Sequence, residues 1–221
     1  VASREISVSD EAELSIAETF LSIQGESTWA GLPCFFIRLS GCNLRCRYCD
    51  TKESYAGGKI KTTGELVREA LASGAAITEI TGGEPLLQAG CQKLAADLLA
   101  ATGKPVLVET NGSIDISAIP QGVIAVMDVK CPGSGESGAM DFENINRLRG
   151  YDEVKFVIAD RVDFEWAADV VRRHDLVKRC HAVLFGVVHG KVALGELGQW
   201  VLEERLPVRV YTQLHKIMGV R

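Results

Sequence analysis

Short runs of Val, Ile, Leu and Phe recur along the chain, alternating with longer stretches in which apolar residues return every three or four positions. The short runs fall at 34–39, 77–81, 106–109, 123–129, 153–158, 182–186 and 208–211. They are apolar almost throughout and predict strands buried on both faces of a parallel sheet. The longer stretches predict helices. Thr62 and Glu65 form a capping-box pair ahead of Leu66, Val67, Ala70 and Leu71. Further helices are expected at about 87–101, 142–149, 164–173 and 194–204. Strand, loop and helix in repeating order imply an α/β fold whose parallel sheet is open or curled into a partial barrel. With no linker or low-complexity segment, one domain over residues 1–221 is expected. The Gly- and Ser-rich stretch 133–138 reads as a single mobile loop.

In parallel α/β folds, ligand chemistry collects at the carboxyl ends of the strands. Polar clusters sit there repeatedly in this sequence. Cys42 to Thr51 follows the first of these strands, Thr81-Gly82-Gly83-Glu84-Pro85 the second and Glu109-Thr110-Asn111-Gly112 the third. Asp128-Val129-Lys130 ends the fourth, and Gln213-Leu214-His215-Lys216 follows the last. One cavity is expected to gather all five.

Composition narrows the setting. An apolar share of 47% in 221 residues supports a full hydrophobic core. No apolar run is long enough to span a bilayer. The start of the chain, with Arg4, Glu5, Asp10, Glu11 and Glu13, lacks the apolar centre of a signal peptide, so a cytoplasmic protein without a membrane partner is expected. Net charge is −5 and the basic residues are scattered. That argues against nucleic acid as a partner, because phosphate backbones require a concentrated positive field. The seven cysteines are an odd number, and three crowd into eight positions. Without a signal peptide, this favours metal ligation over disulfides.

The crowded run is Cys42-Asn43-Leu44-Arg45-Cys46-Arg47-Tyr48-Cys49, a C-x3-C-x2-C spacing. Three thiolates on one loop can hold three irons of a cubane cluster and leave the fourth without a protein ligand. Zinc is the other reading of soft thiolate donors, but a structural zinc takes four ligands, and the fourth would have to come from far along the chain.

With the Gly41, Asp50 and Thr51 that flank it, this loop resembles the cluster loop of radical S-adenosylmethionine enzymes, and Thr81-Gly82-Gly83-Glu84-Pro85 resembles their second signature. The resemblance implies a 4Fe-4S cluster whose open iron binds S-adenosylmethionine. In the second signature, glycines permit close backbone approach, while carbonyls and Glu84 can accept from the cofactor's amino group. Further segments narrow the likeness to the 7-carboxy-7-deazaguanine synthase family of queuosine biosynthesis. They are Glu18 to Glu26 with its Ile23-Gln24-Gly25-Glu26, Phe36-Ile37-Arg38-Leu39, Val108-Glu109-Thr110-Asn111-Gly112, Asp128-Val129-Lys130-Cys131-Pro132 and Gln213-Leu214-His215-Lys216.

That family resemblance implies a shortened radical-enzyme barrel, a homodimer, a magnesium ion (Mg2+) and a reductant such as flavodoxin or ferredoxin. The implied reaction converts the small-molecule pterin 6-carboxy-5,6,7,8-tetrahydropterin to 7-carboxy-7-deazaguanine with loss of ammonia. Cys42, Cys46 and Cys49 would hold the cluster and Thr51 the magnesium. Tyr48, Cys49, Asp50, Gly83, Asp128, Val129 and Lys130 would line the cofactor. Ile23, Gln24, Gly25, Arg38, Thr81, Glu109, His215 and the terminal carboxylate of Arg221 would meet the substrate. Gln24 offers a donor and an acceptor to the pterin's amide-like edge. Arg38 offers a guanidinium fork to its carboxylate; a structural ion pair is the other reading of Arg38, a polar turn that of Gln24, and a surface histidine that of His215.

One departure stands out. Family members often carry Ser-Pro-Val-Phe where this chain has Ala182-Val183-Leu184-Phe185, so no side-chain hydroxyl contact is expected there. Cys34, Cys91, Cys131 and Cys180 lack cluster spacing and read as core packing. Two other classes share the cysteine loop: an activase of glycyl-radical proteins, and a zinc or iron–sulfur module without catalysis.

Overall fold

The computed structural model describes residues 12–220; Arg4, Glu5, Asp10, Glu11 and Arg221 lie outside the described residues. Strand β1 (Glu13–Ile23) pairs antiparallel with β2 (Pro33–Leu39) and β3 (Lys59–Thr62). From β2 onward every pairing is parallel, through β4 (Ile77–Gly82), β5 (Val106–Thr110), β6 (Ile124–Asp128), β7 (Glu153–Ile158), β8 (Ala182–Val187) and β9 (Arg209–Val210). Among the described residues nine strands run β3-β1-β2-β4-β5-β6-β7-β8-β9, with β3 and β9 at the edges. The sheet is therefore not closed, but it curls. Lys155 on β7 reaches Glu26, just after β1, at 2.8 Å across the concave side. This is the partial barrel that the alternating pattern implies.

The helices are α1 (Thr63–Ser73), α2 (Cys91–Thr102), α3 (Asn144–Arg147), α4 (Arg161–Arg173), α5 (Leu194–Glu203) and α6 (Leu214–Met218). The capping box of α1 is complete: Thr62 Oγ1 accepts from Glu65 N, and Glu65 Oε2 accepts from Thr62 N. Gly74 closes the helix in the left-handed conformation. Leu66 of α1, Leu94 of α2, Phe164 of α4 and Leu197 of α5 pack on the convex face of the sheet against Ile37, Ile80, Val108, Phe156 and Phe185. Each such burial contributes roughly 1.5–3 kcal/mol.

Helices cover one face only, which corrects the expectation of strands sandwiched on both sides. On the concave face a small apolar group of Cys34, Phe36, Leu107 and Val126 lies toward the amino ends of the strands. Nearer the carboxyl ends that face turns polar, with Arg38, Glu79, Thr81, Glu109, Asp128 and Lys155. The strands look apolar throughout because these charges are spread one or two to a strand.

Strand β1 serves both faces by means of a bulge. Ile16 pairs with Leu39, but Glu18 pairs with Arg38, so Ala17 is an extra residue. Leu14 and Ile16 consequently join the helix-side core. After the bulge, Phe20 stacks on Phe36 with ring centroids 4.9 Å apart, on the concave side.

The stretch 133–138 also differs from expectation. It is pinned rather than loose: Ser134 is fully buried, Gly133 N donates to Asp163 Oδ1 at 2.7 Å, and Ser134 O accepts from Arg47 N at 3.0 Å. Glu136 Oε1 accepts from Arg45 N at 2.7 Å. This segment is the outer buttress of the cysteine loop.

Candidate active site

The carboxyl ends of the strands surround a cavity of about 680 Å³. All five polar clusters contribute to it: Cys42, Cys46 and Cys49 from the first, then Gly83, Glu109, Asp128 and His215 from the others. The volume lies within the range of small-molecule sites.

The cysteine loop sits against the Gly82-Gly83 turn because that turn has no side chains to keep them apart. Gly82 has φ +145, and a Cβ there would come within 2.7 Å of Leu39 N. A Cβ on Gly83 would stand 2.7 Å from Cys42 Cβ. With none in the way, Glu84 N donates to Gly41 O at 2.8 Å. Asn43 joins the loop to the end of β5, accepting from Asn111 Nδ2 at 3.1 Å and donating to Ser113 Oγ at 2.8 Å.

Glu84 itself turns away from the cavity, against the expectation that it accepts from a ligand. Its fully buried carboxylate accepts from Leu86 N, Asn111 N and Thr110 Oγ1 at 2.6–3.0 Å. Burial holds its carboxyl above the usual range even so. Its work is to tie the turn after β4 to the end of β5.

The cavity floor is a chain of charged groups. Lys155, 4% exposed, donates to Glu26 Oε2 and to Glu109 Oε1, and stands 3.8 Å from Asp128 Oδ2. Thr81 Oγ1 donates to Glu109 Oε2 at 3.1 Å. Burial opposes ionisation of Glu109, but the adjacent Lys155 ammonium prevails and brings its carboxyl down to about 2. Burial likewise opposes the charge on Lys155, yet Glu109 and Glu26 hold its pKa well above the ordinary lysine value. Asp128 pairs with Lys130 at 2.8 Å through Oδ2. Its Oδ1 is buried without a hydrogen-bond partner among the described residues.

The segments Ile23 to Glu26 and Gln213 to Lys216 meet at the rim. Leu214 N donates to Gly25 O at 2.9 Å, Gln213 Nε2 to Glu26 Oε1 at 2.9 Å, and Lys216 Nζ to Asp50 Oδ2 at 3.0 Å. The chain end thus straps the Ile23 to Glu26 segment to the cysteine loop. Gln24 is buried, with its amide already engaged: Nε2 donates to Glu79 and Oε1 accepts from Glu26 N. Arg38 donates from Nε to Glu18 Oε1 at 2.9 Å and lies over the Phe20 ring, still lining the cavity. The ion pair and the ligand-facing position therefore coexist.

Ile23, Tyr48, Asp50, Thr51, Thr81 and Lys130 also line the cavity. The Tyr48 hydroxyl donates to Val157 O, also on the cavity wall, at 3.2 Å. Two expected residues are not on its wall. Gly25 lies behind His215, and the Val129 side chain is buried in the helix-side core. Arg221 lies outside the described residues. Glu26, Glu79, Lys155 and Tyr211 line the cavity without having been singled out in the sequence. Glu79 carries the same signal as Arg38, a lone charge within a strand, and could have been found by it, whereas Lys155 shares its strand with Glu153.

The donor chemistry fits an iron–sulfur cluster with a bound cofactor. Cys42, Cys46 and Cys49 are free and half-buried on one wall, whereas Cys34, Cys91, Cys131 and Cys180 are buried. Asp128 lines the same space, and its buried Oδ1 lacks a hydrogen-bond partner among the described residues. Among the described residues no three His, Cys, Asp or Glu side chains are already gathered closely enough to hold a metal ion. The fit rests on the chemistry of the thiols and the openness of the wall.

The Radical SAM superfamily matches residues 36–125. A 7-carboxy-7-deazaguanine synthase from Koribacter versatilis is 41% identical over 219 residues, covering 93% of this chain and 96% of that protein. One from Chlorobaculum tepidum is 40% identical, covering 95% and 96%. Among solved structures, QueE from Escherichia coli matches with a TM-score of 0.75 at 21% identity, covering 92% of this chain and 95% of that one. SuiB from Streptococcus suis, solved with the precursor peptide SuiA, matches at 0.61 and 13% identity, over 80% and 48%. At these identities the two structures speak to the fold.

Proposed function

The chain belongs to the 7-carboxy-7-deazaguanine synthase family within the Radical SAM superfamily, and from that premise we propose how its cavity works. The reaction is conversion of 6-carboxy-5,6,7,8-tetrahydropterin to 7-carboxy-7-deazaguanine with loss of ammonia, a step toward queuosine and related deazapurines. Cys42, Cys46 and Cys49 hold a 4Fe-4S cluster that, with S-adenosylmethionine, supplies a radical able to take a hydrogen atom from the substrate. Tyr48, Cys49, Asp50 and Gly83 form one side of the cofactor berth. Asp128 and Lys130, paired with each other, form the other. Val129 takes part through its backbone.

At the substrate end, Arg38 directs its guanidinium to the pterin carboxylate while Glu18 holds its Nε. The pterin's amide-like edge is rich in N–H donors. Because the Gln24 amide is engaged by Glu79 and Glu26, the carboxylates of Glu26 and Glu109 are the natural acceptors for that edge. Ile23, Thr81 and His215 complete the enclosure, and Gly25 carries His215. Thr51 Oγ1 would offer an oxygen to Mg2+, which would add positive charge beside the substrate.

The reductant is a small carrier such as flavodoxin or ferredoxin, acting in the cytoplasm. Among the described residues no helix is long and apolar enough to cross a membrane. A homodimer is part of the same reading, supported by the exposed Ile217 and Met218 of α6, which a second copy could cover.

The observation that carries this reading is the opening of three free thiols onto the cavity that also holds Arg38 and Glu109. The test is anaerobic loading with iron and sulfide, then incubation with the carboxytetrahydropterin, S-adenosylmethionine, Mg2+ and a reductant. The deazaguanine product and ammonia are expected without any partner protein. Cluster-loaded protein that yields neither would defeat the assignment. Turnover without a partner also sets aside the activase, and any product sets aside the inert module.

A further inference from the structure

Glu79 lies in the middle of β4 with its side chain on the cavity floor, 4% exposed. Nothing in the family motifs draws attention to it. Two neighbours define its surroundings. The amide nitrogen of Gln24 donates to its Oε2, and Glu109, the diagonal neighbour on the next strand, lines the same floor. Two carboxyl groups can share a hydrogen bond only if one of them carries a proton.

Glu109 is the ionised member, because Lys155 donates to its Oε1 and Thr81 to its Oε2. Among the described residues no cation is paired with Glu79. The charged and titratable groups facing it are Glu26 after β1, Cys34 on β2, Glu109 on β5 and Lys155 on β7. Of these only Lys155 is cationic, and it is already bonded to Glu26 and Glu109. The proton therefore resides on Glu79.

We propose that Glu79 serves as a neutral acid, accepting the Gln24 amide and donating its hydroxyl to the Glu109 carboxylate, and so fixes both side chains in the cavity wall. It is a positioning residue, acting through Gln24 and Glu109. With Gln24 Nε2 given to Glu79 and Oε1 taken by Glu26 N, the amide has a single orientation. Neutrality matters for the ligand as well. An ionised Glu79 would join Glu26, Glu109 and Asp128 beside a substrate that itself bears a carboxylate, and would repel Glu109 from Lys155. Burial supports the same assignment, since it holds the Glu79 carboxyl well above the usual carboxylate range.

This inference rests on the proposed function for its kinetic readout but not for its spectroscopic one. A glutamine at position 79 can accept through oxygen and donate through nitrogen in the same places, and it cannot ionise. Relative to the parent, E79A is expected to lower kcat/KM on the order of 100-fold through misplaced groups. E79Q is expected to recover most of that loss. The parent's kcat/KM should fall at alkaline pH as Glu79 gives up its proton, and E79Q should lack that fall.

Infrared spectra of the folded proteins at neutral pH should contain a protonated-carboxyl C=O band in the parent that E79Q lacks. An E79Q as impaired as E79A, an alkaline limb identical in parent and E79Q, or no such band in the parent would each overturn the proposal. If the parent makes no deazapurine at all, the functional reading fails while the infrared band still decides the state of Glu79.

Discussion

His215 rests on Gly25 so closely that a Cβ at Gly25 would overlap its ring, with Nδ1 the nearest atom and the His215 backbone N 2.9 Å away. The same glycine gives its carbonyl to Leu214 N at 2.9 Å. Gly25 has no positive φ, so proximity rather than backbone freedom requires glycine there. G25A should therefore keep the fold but lift the strap from 213 to 216 off the cavity. A loss of kcat/KM on the order of 100-fold is expected, along with faster proteolytic cleavage in the last ten or so residues. Parent-like cleavage and kinetics would show that the strap is indifferent to its seat.

Lys155 neutralises carboxylates from two separate segments, Glu26 and Glu109. K155M removes the cation and leaves both acids beside each other in a half-buried floor. Breaking a buried pair in this way costs about 3–5 kcal/mol, read as a lowered urea midpoint at unchanged slope. Adding E109Q should return part of that loss, because one of the stranded charges is then gone. A double variant no more stable than K155M would contradict the pairing.

Acid should weaken the floor in a definite window. The Glu109 carboxyl is lowered from the ordinary 4.5 to about 2, despite its burial, by the charge and hydrogen bond of Lys155. A depressed carboxyl adds stability that is fully present above its unfolded value and is lost as pH falls through its folded value. Thermal midpoints should therefore decline between about 4.5 and 2, and E109Q should decline less steeply over that range. Parallel curves for the two proteins would rule out Glu109 as the source.

The seven thiols divide into two classes. Cys42, Cys46 and Cys49 are half-buried on the cavity wall, and the other four are buried. Burial pushes the Cys91 thiol up to about 12 and that of Cys180 to about 11. The cluster-free folded protein should react with a thiol reagent at three positions, and at all seven once unfolded. Mass mapping that finds Cys34, Cys91, Cys131 or Cys180 labelled in the folded state would break this division. C42A, C46A and C49A should each lose the visible absorbance of the reconstituted cluster.

Most of the parallel half of the fold was legible because its strands are short apolar runs and its helices carry caps and apolar stripes. The antiparallel edge was not. In β3, Lys59 and Lys61 flank an exposed Ile60, the charged pattern of a protected edge strand rather than of a core strand. In β1 the bulge interrupts the alternation that would otherwise announce it. The helix expected at 87–101 begins only at Cys91, since Pro85 to Leu87 form a 3-10 turn. The site was legible wherever a motif surrounded the residue, as at Cys42, Gly83 and His215. Glu79 and Lys155 escaped because no motif surrounds them, and only the curl of the sheet shows that they share one floor.

The bulge at Ala17 makes β1 behave like a reading frame with one inserted letter. Upstream, Leu14 and Ile16 are read by the helices; downstream, Phe20 is read by the cavity, and Glu18 holds Arg38. Deleting Ala17 would shift that frame, sending Glu18 and Phe20 to the apolar side or tearing Leu14 and Ile16 from it. A conservative replacement such as A17S leaves the frame intact. Soluble yield should therefore survive the substitution and collapse with the deletion, so that at this position the chain is constrained by the number of its residues more than by their kind.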